Sequence, residues 1–483
     1  MHRFFYWMKQ KACWFVFFNI FTCNFQLLPR FYLQKEFLKK ESMMKTTSKL
    51  LGWAVALSCG LMSCSSSEEV NDDLGETTKV VNMLSEPMPI ELTKEQKQFA
   101  YDNNGFTLKF LKAVNEVDKS GKSFIYSPLS ITYVLGMVND AATGQTEREL
   151  EQTLGFHEGG ILAVNEYCKK LIEGLPKVDE KVTLTIANAI FLNNKYTLKP
   201  QYQQDMQTYY GAKAESLDFS APQTLDQING WCNEKTSGMI PTILDDVNPE
   251  MLSYLLNAIY FKADWASKFD QKNTRTEAFT TNGGKKQLPL MHQNVLISYL
   301  KNDIYSAVVM PYSSGLWNMT VLLPEDGKTV DDVINEVTGS YLLNNHGWCE
   351  TGLNTFQAYE VDLKLPRFET DSDTDQLNTE KGLIGLMKKM GITLAFDNVN
   401  AEIPNMSIRP VYIDIMRQKA KIKVNEDGSE AAAVTIGGLM PNSVDAQPYK
   451  FPKATFHANR PFVYVIREQS SGVILFVGKF TGD

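Results

Sequence analysis

The chain has 483 residues, 43% hydrophobic, 22% charged and 11% aromatic, which excludes a collagen, a wholly disordered chain and a small disulfide scaffold. Its 48 Lys and Arg stand against 56 Asp and Glu; nine and two of these lie in residues 1–63, leaving 39 against 54, a charge of −15, on the rest. So acidic a body does not suit nucleic-acid binding, which needs a basic footprint.

Residues 1–42 are unusually aromatic, with Phe4-Phe5-Tyr6-Trp7 and Trp14 to Phe18, and precede a better start at Met43 or Met44. They read as an over-extended start and are left out of the fold. From Met44, Lys45 and Lys49 lead into an apolar run, Leu50 to Leu61, and then Ser63 and Cys64. A charged start, a short apolar core and a small residue before the cut are the parts of a secretory signal. The run is too short to span a bilayer comfortably. Leu61-Met62-Ser63 directly before Cys64 resembles a bacterial lipobox, whose Cys becomes the lipidated first residue of the mature chain. The acidic group Glu68, Glu69, Asp72 and Asp73 resembles the export tags of surface-exposed lipoproteins in some Gram-negative bacteria. Residues 1–63 are therefore expected to be an upstream extension plus lipoprotein signal peptide. The mature protein is expected at the outer membrane, surface-exposed, or in the extracellular space, touching membrane only through its lipid.

Residues 64–92, rich in Ser, Glu and Asp with Pro87 and Pro89, read as a flexible tether. Order is expected from Thr93, which with Gln96 makes a capping-box pattern. Phe99, Phe106, Phe110 and Val114 then recur at helical spacing. A second helix start is read at Thr146 with Glu149. Strand-like runs follow at Val182–Ile186, Ala258–Phe261, Met319–Leu323 and Val361–Leu365, with more at Val411–Val424 and Phe462–Phe480. Helical stretches lie between them at Leu225–Lys235, Val330–Val337 and Leu377–Met390. Neither a repeat nor a long linker interrupts residues 93–483, so the expectation is one α+β domain with large, mainly antiparallel sheets and surrounding helices.

Catalytic patterns are missing. The sequence has no GxSxG elbow, P-loop or GxGxxG, and its five His (2, 157, 292, 346 and 457) never approach HExxH spacing. None of the seven Cys forms a CxxC pair, and Cys168, Cys232 and Cys349 read as buried free thiols. No cofactor, metal or enzymatic activity is expected.

Residues 425–435 read Asn-Glu-Asp-Gly-Ser-Glu-Ala-Ala-Ala-Val-Thr. An Ala-rich run usually means helix, yet Gly428 precedes this one, Gly437-Gly438 follows it, and strand-like segments flank both. Here the sequence resembles the serpin family, whose inhibitory hinge is close to Val424 to Ala433. Further motifs fit in order: Phe124 to Ile131, Ala142 to Thr146, Asn229-Gly230-Trp231 with Thr236-Ser237-Gly238, Leu256 to Trp265, Val309 to Tyr312, Leu365 to Phe368, Asn459 to Phe462 and Ile474 to Lys479. The resemblance covers about 390 residues.

The resemblance implies a single-use protease trap that works as a monomer. A protease cuts an exposed reactive loop, and the loop's N-terminal half enters the main sheet as a new strand while the protease is still acyl-linked. The loop hinge would be Gly428, Ser429, Glu430, Ala431, Ala432, Ala433, Val434 and Thr435. Ser429, Ala431, Ala433 and Thr435 share one face at period 2, and all are small and uncharged. Overpacking commonly costs about 1–3 kcal/mol, so this face suits entry between existing strands. Each net backbone hydrogen bond contributes about 0.5–1.5 kcal/mol, so roughly a dozen inserted residues would release on the order of 10 kcal/mol.

The family places the cut about fourteen residues beyond the hinge glycine, which from Gly428 reaches Asn442–Ser443; Leu439–Met440 is the second choice, with a shorter inserted strand. Apolar Leu439 and Met440 upstream of the cut suit elastase- or subtilisin-like serine proteases, with cysteine proteases also open. A sheet-opening cluster is implied at Ser127, Ser130, Asn257 and Gln418; the family usually has His where this chain has Gln418. The second departure is the long segment Ser443 to Lys453, with Pro448 and Pro452. A non-inhibitory surface binding or adhesion protein that kept the fold is the alternative. Charged or bulky residues on the 429–435 face would favour it, and that face has none.

Overall fold

In the computed structural model the described residues are 87–157, 159–343, 356–428 and 450–483. Residues 87–92, read above as the end of the tether, already lie against the body. Met88 N donates to Val178 O, and Ile90 and Leu92 are buried, because these apolar side chains find a surface before the first helix begins. That helix, α1, spans Lys94–Val117. Thr93 Oγ1 accepts from Gln96 N and Gln96 Oε1 accepts from Thr93 N, both at 3.1 Å, so the capping box forms as expected.

In chain order the further helices are α2 (Pro128–Ala141), α3 (Gly144–Leu154), α4 (Gly160–Gly174), α5 (Pro200–Tyr210), α6 (Thr224–Lys235), α7 (Val330–Leu343) and α8 (Leu383–Met390). The strands are β1 (Phe124–Tyr126), β2 (Thr183–Asn193), β3 (Lys213–Leu217), β4 (Ser253–Lys262), β5 (Arg275–Thr281), β6 (Gly284–Lys301) and β7 (Tyr305–Tyr312). Then come β8 (Trp317–Pro324), β9 (Gln357–Pro366), β10 (Phe368–Asp373), β11 (Ile415–Val424), β12 (Lys453–His457), β13 (Phe462–Glu468) and β14 (Ile474–Phe480).

Two sheets result. One has five strands in the order β10-β11-β4-β2-β3; the other runs β1-β14-β13-β8-β7-β6-β9-β12, with β5 also paired to β6. Most strand pairs are antiparallel, as expected, but β11–β4, β2–β3 and β12–β9 are parallel. Helix α2 packs on β2, β4 and β14, between the sheets, and is apolar nearly all round because nearly every residue is buried.

The second helix start falls at Gly144, two residues before Thr146. Glu149 does not cap it; its carboxylate accepts from the amides of Thr393 (2.7 Å) and Leu394 (2.9 Å) across the fold.

Candidate functional site

Past Val424 the chain leaves β11 and is gripped by the segment that follows β4. Trp265 donates from Nε1 to the Asn425 carbonyl at 2.9 Å and from its amide to the Asp427 carbonyl at 3.2 Å; Phe269 N donates to Glu426 O at 3.0 Å. The Trp265 ring stacks on Tyr312, centroids 4.3 Å apart, which ties the grip to the end of β7. The buried Glu426 carboxylate accepts from Thr274 Oγ1 at 2.6 Å and from Arg367 Nε at 3.1 Å. Burial pushes its pKa up, but Arg367 and Thr274 more than offset this and hold the carboxyl below its ordinary range. Gly428 ends the gripped segment with φ +77°, and a Cβ there would lie 2.2 Å from Trp265 N and 2.7 Å from the Asp264 carbonyl carbon. Only glycine fits this position.

Beside this grip the five-stranded sheet is divided. β11 and β4 run parallel, in register from Ile415↔Tyr254 to Ala420↔Ile259, and there the register ends. Beyond it, Lys421–Val424 stays with β10 and Tyr260–Lys262 stays with β2. A strand returning from Gly428 would run antiparallel to both, with Ile422, Val424, Ile259 and Phe261 as its buried neighbours. Parallel partners suit such an arrival, since each can offer its ladder to an antiparallel newcomer.

Below the opening, β11 and β4 are pinned together through one side chain. Gln418 is fully buried; its Oε1 accepts from Ser127 N, and its Nε2 donates to Ser127 O and to Asn257 Oδ1, each at 2.9 Å. Asn257 donates onward to Asn188 Oδ1 on β2 at 2.8 Å, and the Gln418 amide donates to Thr374 Oγ1 at 2.8 Å. Ser127, Asn257 and Gln418 therefore meet directly, at the N-terminus of α2. Ser130 joins through its backbone, its amide donating to Ser127 Oγ at 3.4 Å, while its buried hydroxyl has no hydrogen-bond partner among the described residues. Asn188 and Thr374 were not foreseen, because nothing in their local sequence points toward a strand 44 or more residues away.

On the opposite, outward face of β11, Arg417 Nε donates to Asp373 at 2.9 Å and Arg417 Nη2 to Asp245 at 3.2 Å, clamping β11 to β10. This clamp was also not foreseen. Ser429 to Thr435, Leu439, Met440, Asn442, Ser443 and Cys64 lie outside the described residues, as does Cys349. Cys168 and Cys232 are buried free thiols, both pushed up to about 12 by burial and so unreactive.

The family model described as serpin (serine protease inhibitor) matches residues 101–482. The chain belongs to the serpin family. It is 29% identical to the leukocyte elastase inhibitor of Homo sapiens over 394 residues, covering 80% of this chain and 99% of that one. It is also 29% identical to Iripin-8 of Ixodes ricinus over 403 residues, 80% of this chain and 94% of the other. Among solved structures, the native state of Tengpin, a thermophilic serpin, superposes with a TM-score of 0.67 at 25% identity, covering 83% of this serpin and 97% of Tengpin. The family model and the leukocyte elastase inhibitor are both named as protease inhibitors, not as enzymes.

Proposed function

We propose that this serpin traps serine-type endopeptidases once each, by cleavage of the loop after Gly428 and insertion of its N-terminal half between β4 and β11. The observation that carries the reading is the parting of that parallel pair above Ala420 and Ile259, next to a hinge glycine locked under Trp265. Asn442–Ser443 is the preferred bait bond and Leu439–Met440 the second. The apolar residues upstream of Asn442 suit elastase- or subtilisin-like proteases. In a mixture of serine and cysteine proteases, at least one serine protease is expected to form a boiling- and detergent-resistant adduct with the purified protein. If every protease tested only clips the chain, the trap reading fails and the binding-protein alternative gains.

We further propose that the mature chain begins at a lipidated Cys64 and sits on the outer membrane of a Gram-negative bacterium, with the acidic residues after Cys64 favouring surface exposure. Replacing Cys64 with Ser is expected to move the protein from the membrane fraction into the soluble one. A Cys64→Ser protein that stays with the membranes would rule out lipidation at this residue as the anchor.

A further inference from the structure

The solvent face of the nine-stranded sheet carries an arrangement for which loop insertion has no use. His292 on β6, Asp362 on β9 and His457 on β12 meet there. His292 Nε2 lies 2.7 Å from Asp362 Oδ1, and His457 Nε2 lies 3.0 Å from Asp362 Oδ2. In register, Asp362 stands opposite Asn294 of β6 and Thr455 of β12, while both histidines flank Lys364 one row along the same face. One carboxylate thus staples three neighbouring strands. The imidazoles take opposite oxygens, and among the described residues no group of His, Cys, Asp and Glu is arranged to hold a metal ion. Protons are what this cluster can bind.

Its position gives the proton a consequence. β12 is five residues long, pairs with β9, stands at the end of the strand order, and is the first strand past Gly428 among the described residues. His457 is its last residue. A short edge strand with one ladder is the kind of element that opens locally before the rest of the fold, so a side-chain staple at its end weighs heavily in whether it stays docked.

We propose that His292, Asp362 and His457 form a proton-operated clasp that holds β12, and with it the C-terminal end of the loop, more firmly in mildly acidic than in mildly alkaline solution. Imidazoles ordinarily titrate near 6.5. An imidazolium makes a charge-assisted bond to a carboxylate, stronger than that from a neutral ring. The clasp is therefore firmer with charged rings than with neutral ones, and loosens as alkaline solution removes their protons.

The carboxyl sets the lower limit. Burial pushes Asp362 up, but its bonds to His292 and His457 more than offset that and hold it below the usual carboxylate range. Its contribution is present above the ordinary carboxylate value and is lost only as pH falls through the lowered one.

The charges around the group are paired or balanced. On β9, Lys364 is tied to Glu277 of β5 at 2.7 Å, and Glu360 faces Lys453 of β12 at 3.5 Å. Asn294 and Leu296 of β6 and Thr455 of β12, on the same face, are uncharged. With neutral rings the three carboxylates Asp362, Glu277 and Glu360 stand against Lys364, Lys453 and Arg275 of β5, which lies opposite Leu290 one row from His292. The set is balanced, and the Asp362 carboxylate is the group each ring meets directly.

The test is hydrogen exchange of the β12 amides in the intact, uncut protein at about pH 6 and about pH 8, corrected for intrinsic exchange. In the wild type, opening of β12 is expected to be roughly two- to fivefold rarer at the lower pH, the size of an exposed ion pair. His457→Gln, which keeps a donor but cannot charge, should remove most of that difference, and Asp362→Asn all of it. His292→Gln provides a second, independent variant should Asp362→Asn fold poorly. A wild type with equal protection at both pH values, or a His457→Gln protein that keeps the full difference, would overturn the clasp.

Discussion

Ser429→Arg is expected to turn this serpin from an inhibitor into a substrate. The proposed trap keeps the uncut loop exposed, so expression and first encounter with a protease should be unchanged. Gly428 is locked against Trp265, so residue 429 is the first that must enter between β4 and β11. Entry brings it toward Ile422, Val424 and Phe261, all buried and apolar. Desolvating a cation there costs several kcal/mol even after relaxation. A barrier higher by only about 1.4 kcal/mol already slows a step tenfold. Deacylation then outruns insertion: the loop is cut at the same bond, and active protease is released. The measurement is the ratio of covalent adduct to cleaved inhibitor against one protease, together with thermal unfolding before and after cleavage. Wild type should form adduct and gain heat resistance on cleavage, whereas the variant's adduct fraction should drop at least tenfold. Equal adduct yields would show that insertion does not limit trapping.

Local physics made part of this fold legible in advance. The Thr93–Gln96 box, α6 and the run of strands could be read because caps and alternation are written within a few residues. Leu377–Met390, by contrast, read as one helix but starts only at Leu383, since Gly382 takes φ +56° after a short turn at Thr374–Gln376. Phe462–Phe480 is two strands, β13 and β14, joined by a turn where Gly472 takes φ +76°. The Val411–Val424 run becomes a strand only from Ile415, where parallel pairing with β4 begins.

The candidate site was legible to a different degree. The hinge could be read from Gly428 and the small residues after it, because an inserting face has a composition. Gln418 and Ser127 are 291 residues apart, and only the family resemblance joined them before the structure did. The Arg417–Asp373 clamp and the His292–Asp362–His457 group depend on strand register, which a single sequence does not print. Each of those histidines, taken alone, reads as an ordinary structural residue.

Gln418→Ala should be the most destabilising single truncation in the opening region. It removes three bonds of 2.9 Å from a fully buried position and leaves Ser127 N and Asn257 Oδ1 without their Gln418 partner, while Ser127 O keeps its bond from Ile131 N at 3.2 Å. Each buried group left unsatisfied costs about 1–3 kcal/mol. The two share one cavity and do not add in full, so a loss of about 2–4 kcal/mol in urea unfolding at neutral pH is expected. Gln418→His separates hydrogen bonding from bulk. A neutral imidazole offers one donor and one acceptor, enough to meet Ser127 N and one of the two acceptors, so part of the loss should return at about pH 8. A protonated ring has no acceptor for Ser127 N, and its charge would be buried. The folded state therefore holds the ring neutral and lowers its pKa. The recovered stability is present above the ordinary imidazole value of about 6.5 and fades as pH falls below it. Wild-type Gln418 cannot titrate, so the wild type lacks this component. If Gln418→Ala costs under about 1 kcal/mol, or Gln418→His is as stable at pH 5 as at pH 8, Gln418 does not pin β11 to β4 in the way its three bonds imply.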